Sequence, residues 1–227
     1  ELFGNVPDVA VSGFHLMKKD GYSDDEVAEI IDIGKALSKY PRESFYLTTK
    51  LPTTKVHDLE EAKAVYAEQR KRLDTPYFDF YFLHNVNGKR WRTMLDEGIL
   101  NWMESLVEKG EVKHLGFSFH GTYKEFEEII SYRKWDVCQI QLNYMDINEQ
   151  SGIRGYELSE KLGVPLIIME PVKGGGLVNL PDEAKKMLDD LHQDYSYASY
   201  AIRFAASFDG MFKVLSGMSR SEEHTSE

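Results

Sequence analysis

The sequence predicts an α/β chain with the layout of a (β/α)₈ TIM barrel. Three observations carry this. Short apolar runs alternate with amphipathic stretches, the runs are apolar throughout, and the polar, reactive residues gather where the runs end. Continuous apolar runs suit strands buried on both faces, as in a parallel sheet. Their alternation with helical patterns gives βα units. Reactive residues at the C-terminal ends of parallel strands are the layout of an eight-stranded βα barrel.

Taken in order, the runs are "FYLTT" (45–49), "FDFYFLH" (78–84), "VKHLGFSF" (112–119), "VCQIQLNY" (137–144), "VPLIIMEPV" (164–172) and "FKVLSGM" (212–218). Before them, "SDDEVAEIID" reads as a capped helix, with Ser23 as N-cap and Glu26 three residues on. Leu95, Ile99, Trp102 and Leu106 fall at helical spacing, and Gly110 then supplies a stop. Thr122 is an N-cap for the stripe Phe126, Ile129 and Ile130. Tyr156, Leu158 and Leu162 precede Gly163, and Tyr197, Tyr200, Ala201 and Phe204 form the last stripe. Each stripe is expected to be core. The segment from Asp182 to Phe208 would cover the last crossover. No G-x-G-x-x-G follows an early strand, so the two-layer dinucleotide fold has no support.

Composition narrows the function. The chain has 227 residues, enough for one large domain. A net charge of −11 with no basic patch argues against nucleic acid as a partner. The one cysteine, Cys138, excludes an intramolecular disulfide and fits a reducing, cytoplasmic compartment. It also excludes a cysteine-held iron–sulfur cluster within this chain, which needs about four thiolates. No apolar run approaches the ~18 residues of a membrane span. His84, His114, His120 and Glu170 are scattered without ligand spacing, so no metal site is expected.

At the strand ends stand Lys50, His84, Ser118, Asn143 and Glu170. Lys50 closes "FYLTTK" and His84 closes "FDFYFLH", one βα unit later, so both point into the same mouth. Each has a bland reading, a solvated end lysine and a hydrogen-bonded structural histidine. A lysine beside an imidazole in a poorly solvated cleft is unfavourable unless the charges do something. One use is to lower the pKa of a nearby tyrosine, making its hydroxyl a better proton shuttle at neutral pH.

"YLTTK", "FDFYFLHNV", "GEVKHLGFSFHG", "QIQLNYMD", "MEPVKGGGL" and "VLSGMS", in that order, resemble the aldo-keto reductase family. The resemblance is closest to the bacterial branch that often carries a C-terminal ferredoxin-like iron–sulfur extension. It implies a barrel that binds NADPH across its mouth and passes hydride to the carbonyl of a small-molecule aldehyde or ketone. In that likeness Lys50 matches the lysine that depresses the donor tyrosine's pKa, and His84 the histidine that orients the carbonyl. Ser118 and Gln139 match residues that hold the nicotinamide carboxamide, and Asn143 lies at the same strand's end. The asparagine that usually follows the serine is replaced by Phe119 and His120. Met169 and Glu170 occupy the position that packs on the nicotinamide ring, where an aromatic is common. Lys173, Gly174 and Gly175 resemble the loop over the pyrophosphate, where glycines let backbone N–H groups approach the anion. Ser216, Gly217 and Met218 resemble the start of the 2′-phosphate site.

One family motif is missing. The proton donor lies in Asp-Thr-Ala followed shortly by Tyr, and nothing of that form precedes "IGKAL" (33–37). The expectation is that a strand and its flanks, ~25–30 residues on the βα-unit scale, are absent between Asp32 and Gly34. A rival is that Tyr22 replaces the tyrosine from a rearranged loop. The tail "RSEEHTSE" (220–227) reads as a translated sequencing-adaptor sequence. Residues 1–219 are therefore expected to form a single incomplete barrel domain that lacks its closing helices, and 220–227 a non-native tail. Activity is expected to be impaired. Two other functions stay open. One is a non-catalytic barrel keeping a nucleotide or partner site. The other is a carboxylate-based hydrolase using Glu170, weakened because no second carboxylate was found at a neighbouring strand end.

Overall fold

The computed structural model describes residues 11–12, 34–191 and 194–215. Tyr22, the expected helix from Ser23, and Ser216, Gly217 and Met218 lie outside the described residues. The chain divides into two compact units, residues 1–118 and 119–227.

In the first unit the strands follow chain order in the sheet: β1 (Val11–Ser12), β2 (Leu47–Pro52), β3 (Phe78–Val86) and β4 (Val112–Phe119). β1 and β3 each pair in parallel with β2. The β2–β3 register sets Thr48 against Phe80, Lys50 against Phe82 and Pro52 against His84. Helix α1 (Leu59–Leu73) returns from β2 to β3. Asp58 caps it by accepting the Glu61 N–H, and Arg70, Lys71 and Arg72 complement the dipole in its last turn. The Tyr66 ring on α1 is the hub of an aromatic cluster, with ring centroids 5.7 Å from Phe78, 5.3 Å from Tyr81 and 5.7 Å from Trp102. Fully burying aromatic and aliphatic side chains of this size is worth roughly 1.5–3 kcal/mol each.

The stripe from Leu95 to Leu106 is two helices and not one. α2 (Gly88–Asp96) and α3 (Ile99–Glu108) meet at Gly98, whose φ of 68° is left-handed and ends the first. Gly34 marks a close approach: a Cβ there would stand 2.6 Å from the Arg72 carbonyl oxygen at the end of α1.

One buried carboxylate ties the starts of three strands. Asp79, in β3, accepts the Leu47 N–H of β2 at 2.9 Å and the Arg42 guanidinium at 2.6 Å. The Lys113 ammonium of β4 reaches its other oxygen at 3.0 Å. Arg42 also donates to the Phe45 and Tyr77 carbonyl oxygens and lies over the Tyr77 ring at 3.9 Å.

The second unit holds β5 (Val137–Gln141), β6 (Leu166–Met169) and β7 (Met211–Val214), paired in parallel in that order. Helix α4 (Tyr123–Tyr132) opens with the Thr122 cap read from the sequence, here a capping box with Glu125, and buries Phe126, Ile129 and Ile130 as expected. Helix α5 (Gly152–Leu162) ends at Gly163 as expected, but its buried face differs. Gly152, Gly155 and Ser159 are buried, while Leu162 is exposed. Packing explains it. A Cβ on Gly155 would lie 2.6 Å from the Ser151 side chain and 3.4 Å from the Phe126 ring, so only small residues fit that face. Helices α6 (Asp182–Asp189) and α7 (Tyr197–Ala206) lie between β6 and β7. On α7 Ala201 is buried as expected, together with Ser199 and Ala205, while the larger Tyr197, Tyr200 and Phe204 are half-buried. Strands β5 and β6 are shorter than their apolar runs, because the chain turns at Asn143 and at Glu170, whose φ of 55° is left-handed.

Asp79→Ala is expected to cost about 3–5 kcal/mol, since it removes the buried counter-ion of the partly buried Arg42 guanidinium and the acceptor of the Leu47 N–H. Urea unfolding of the variant beside the parent measures this, and a loss within ~0.5 kcal/mol, typical of surface substitutions, would refute the clamp.

Candidate active site

Strand pairing places Lys50 and His84 on one face. Side chains alternate along a strand, so Thr48, Lys50 and Pro52 share a face with their partners Phe80, Phe82 and His84. Lys50 therefore lies one step diagonally from His84, with its Nζ 5.9 Å from the Phe82 ring centre. Lys50 is only 9% exposed. Burial lowers its pKa to about 8, because removing water disfavours the ammonium form. The backbone beneath it is fixed from the other face: Gln69 of α1 donates to the Lys50 carbonyl oxygen at 2.8 Å, and Tyr81 donates to Gln69 at 3.0 Å. Tyr81 is fully buried on the face that meets α1, and burial pushes its hydroxyl well above its ordinary pKa.

His84 is half-buried at the end of β3. The Thr53 hydroxyl donates to its carbonyl oxygen at 2.6 Å, fixing the turn that follows. The next residue, Asn85, is left-handed (φ 56°) and donates its N–H to the Ser118 Oγ at 2.9 Å. Arg90 holds Asn85 through its carbonyl and side-chain oxygens at 2.7 and 2.9 Å. Ser118 is fully buried, and its hydroxyl joins the ends of β3 and β4.

In the second unit, Gln139, Gln141, Ile167 and Met169 share a face of β5 and β6. Gln139 is buried and its Nε2 donates to the Met169 Sδ at 3.1 Å. Glu170 is exposed at the end of β6. Asn143 is fully buried and saturated. Its Oδ1 accepts the Met145 and Asp146 N–H groups, each at 3.0 Å. Its Nδ2 donates to Asp146 at 3.1 Å and to the Glu170 carbonyl at 3.3 Å. A carboxamide has two acceptor and two donor positions, so Asn143 is a tether. Lys173 pairs with Asp146, and Lys173, Gly174 and Gly175 all have left-handed φ values. The Gly175 and Gly176 N–H groups close turns onto the Val172 and Lys173 carbonyls.

The family model for the aldo/keto reductase family matches residues 14–226. The chain belongs to the aldo/keto reductase family. A relative from Glycine max, named "Probable aldo-keto reductase 1", is 32% identical over 94 residues, which cover 38% of this chain and 26% of that protein. The match thus spans about a quarter of that curated relative. Among solved structures, a thermostable aldo-keto reductase in complex with the inhibitor epalrestat aligns with a TM-score of 0.71 at 20% identity, covering 96% of this chain and 86% of its own. The holo form of an aldo-keto reductase from Bacillus halodurans aligns with a TM-score of 0.71 at 21% identity, covering 88% and 71%. The likeness shows the fold, the α/β barrel class read from the sequence.

Asp146 was missed in the sequence, although it lies three residues after Asn143. The signal was the Asn-x-x-Asp spacing, because an asparagine accepting N–H groups two and three residues on makes a local turn. Among the described residues no group of three or more His, Cys, Asp and Glu side chains could hold a metal ion. Among them also, no helix is long and apolar enough to cross a membrane.

Lys50 leaves a pH signature. Its folded pKa, about 8, lies below the ordinary 10.5, so the folded state sheds this proton first. The burden of the buried ammonium is complete below pH 8 and is lifted as pH rises from 8 to 10.5. Lys50→Met should therefore stabilise the protein at pH 7 by up to about 3 kcal/mol, at 1.36 kcal/mol per pKa unit. The gain should shrink toward zero near pH 10.5. Paired melting curves from pH 7 to 10.5 test this, and a pH-independent difference would contradict the burial.

Proposed function

We propose that this chain is an oxidoreductase of the aldo-keto type that uses NADPH and takes a small aldehyde or ketone. The supporting observation is a buried lysine at the end of β2 on the same face as a half-buried histidine at the end of β3. When bound, NADPH supplies the hydride. Lys50 acts electrostatically on the group that gives the proton, and His84 orients the carbonyl oxygen. Ser118 and Gln139 hold the nicotinamide carboxamide, Met169 and Glu170 border its ring, and Asn143 acts by tethering the loop that follows β6. Lys173, Gly174 and Gly175 take the pyrophosphate. Ser216, Gly217 and Met218 begin the 2′-phosphate site. The single domain over residues 1–219 and the cytoplasmic location belong to the same reading.

The proton donor is the weak link. The family's Asp-Thr-Ala motif with its tyrosine is absent from the sequence, and Tyr22 is the one substitute that the order of motifs suggests. General acid catalysis supplies typically ~10²–10⁴-fold, so the chain should bind NADPH while reducing carbonyls poorly. That absence also favours a second reading, a barrel that binds nucleotide without turnover.

Fluorescence titration with NADPH, followed by turnover of an aromatic aldehyde, tests the proposal. The expected result is saturable binding with turnover ~10²–10⁴-fold below that of the Bacillus halodurans relative. Lys50→Met and His84→Ala should remove the residual rate and leave binding in place. Robust turnover abolished by Tyr22→Phe would assign the donor to Tyr22 and overturn the impairment. Failure of the parent chain to bind NADPH would sink the cofactor reading.

A further inference from the structure

The Asp146 carboxylate is the centre of a polar network that the catalytic reading leaves unexplained. Asp146 is 7% exposed, yet its side chain receives three donors. Gln141 and Asn143 donate to one oxygen at 3.0 and 3.1 Å, and the Lys173 ammonium takes the other. Gln141 is itself steadied by Gln150, which donates to its Oε1 at 2.6 Å. The Lys173 hydrogen bond, opposed by burial and supported by Asn143 and Gln141, holds the Asp146 carboxyl below the usual carboxylate range. The group is therefore an anion at neutral pH.

This carboxylate grips the loop after β6 in two places. It holds Lys173 directly. It also holds Asn143, whose other amide hydrogen goes to the Glu170 carbonyl at the loop's start. Within the loop, the N–H groups of Gly175, Gly176 and Leu177 are all turned onto the Val172 and Lys173 carbonyls. Those three amides offer little to an anion, so the Lys173 ammonium is the loop's main attraction for phosphate. That ammonium ends a flexible four-carbon stem, and its place is set by what it is tied to.

We propose that Asp146 is the positioning residue of the phosphate loop, fixing where the Lys173 ammonium stands and so setting the affinity for a pyrophosphate-bearing nucleotide. The inference rests on the NADPH reading above. Asp146 touches no cofactor; it acts through Lys173.

A double-mutant cycle with NADP⁺ decides it. The parent, Asp146→Asn, Lys173→Met and the double variant are titrated calorimetrically, with melting temperatures recorded alongside. Each single variant should weaken binding roughly tenfold, the value of one charge-assisted contact. The double variant should be no weaker than Lys173→Met alone, because both changes remove one positioned charge. Effects that multiply in the double variant would show a merely structural role and overturn the proposal. So would parent-like binding by either single variant, or tighter binding by Asp146→Asn, which would make the carboxylate a competitor of the ligand. No binding by the parent overturns the NADPH reading, and this inference with it. Binding by the parent with an unaffected Asp146→Asn overturns this inference alone.

Discussion

The first unit depends on a carboxylate that lies far from its reactive end. Asp79 joins the starts of β2, β3 and β4 through the Leu47 N–H, Arg42 and Lys113. Strand residues advance by about 3.3 Å, so pinning the starts sets the register along the whole pair. A slip of one residue would turn Lys50 to the face that carries Tyr81 and meets α1. The shared face of Lys50 and His84 is thus decided three residues from Lys50 and five from His84, by an interaction that touches neither. A buried charge is costly, and an apolar contact would tolerate the slip that a directional ion pair penalises.

The opposite face of the same strands does complementary work. Tyr81 and Gln69 fix the Lys50 backbone, and the aromatic cluster around Tyr66 presses α1 onto β3. The Lys50 side chain is therefore carried on an immobilised backbone while its ammonium is held in a poorly solvated place. Lysine burial of this kind is destabilising, because removing water disfavours the ammonium form.

How much of this the sequence disclosed depends on the range of the interaction. β4 runs over residues 112–119, as its apolar run indicated, and the Thr122 capping box is written in adjacent residues. Lys50 and His84 were legible because each is the polar end of an apolar strand. The buried face of α5 was hidden, since Gly155 is selected by a close approach to Ser151 and Phe126 that no periodicity records. The spacing of Leu95, Ile99, Trp102 and Leu106 shows no break, and the left-handed backbone of Gly98 divides that stripe into α2 and α3. Asp146 was hidden for a related reason. Its importance comes from Gln141, Asn143 and Lys173 converging on it, and Lys173 lies in another βα unit.

The two lysines stand in opposite electrostatic surroundings. Lys173, in the loop after β6, is half-exposed and paired with the Asp146 carboxylate, so its place is fixed. Lys50 is desolvated, and its pKa of about 8 lies above neutrality, so the ammonium form predominates at pH 7. That balance matters for tuning a hydroxyl. A fully solvated ammonium would be screened by water, and one desolvated much further would be neutral and exert no field. Burial of Lys50 stops between these limits, where the group remains a cation and its field acts at low screening. A lysine in that window is suited to lowering a neighbouring hydroxyl's pKa, which is the role proposed for it beside His84.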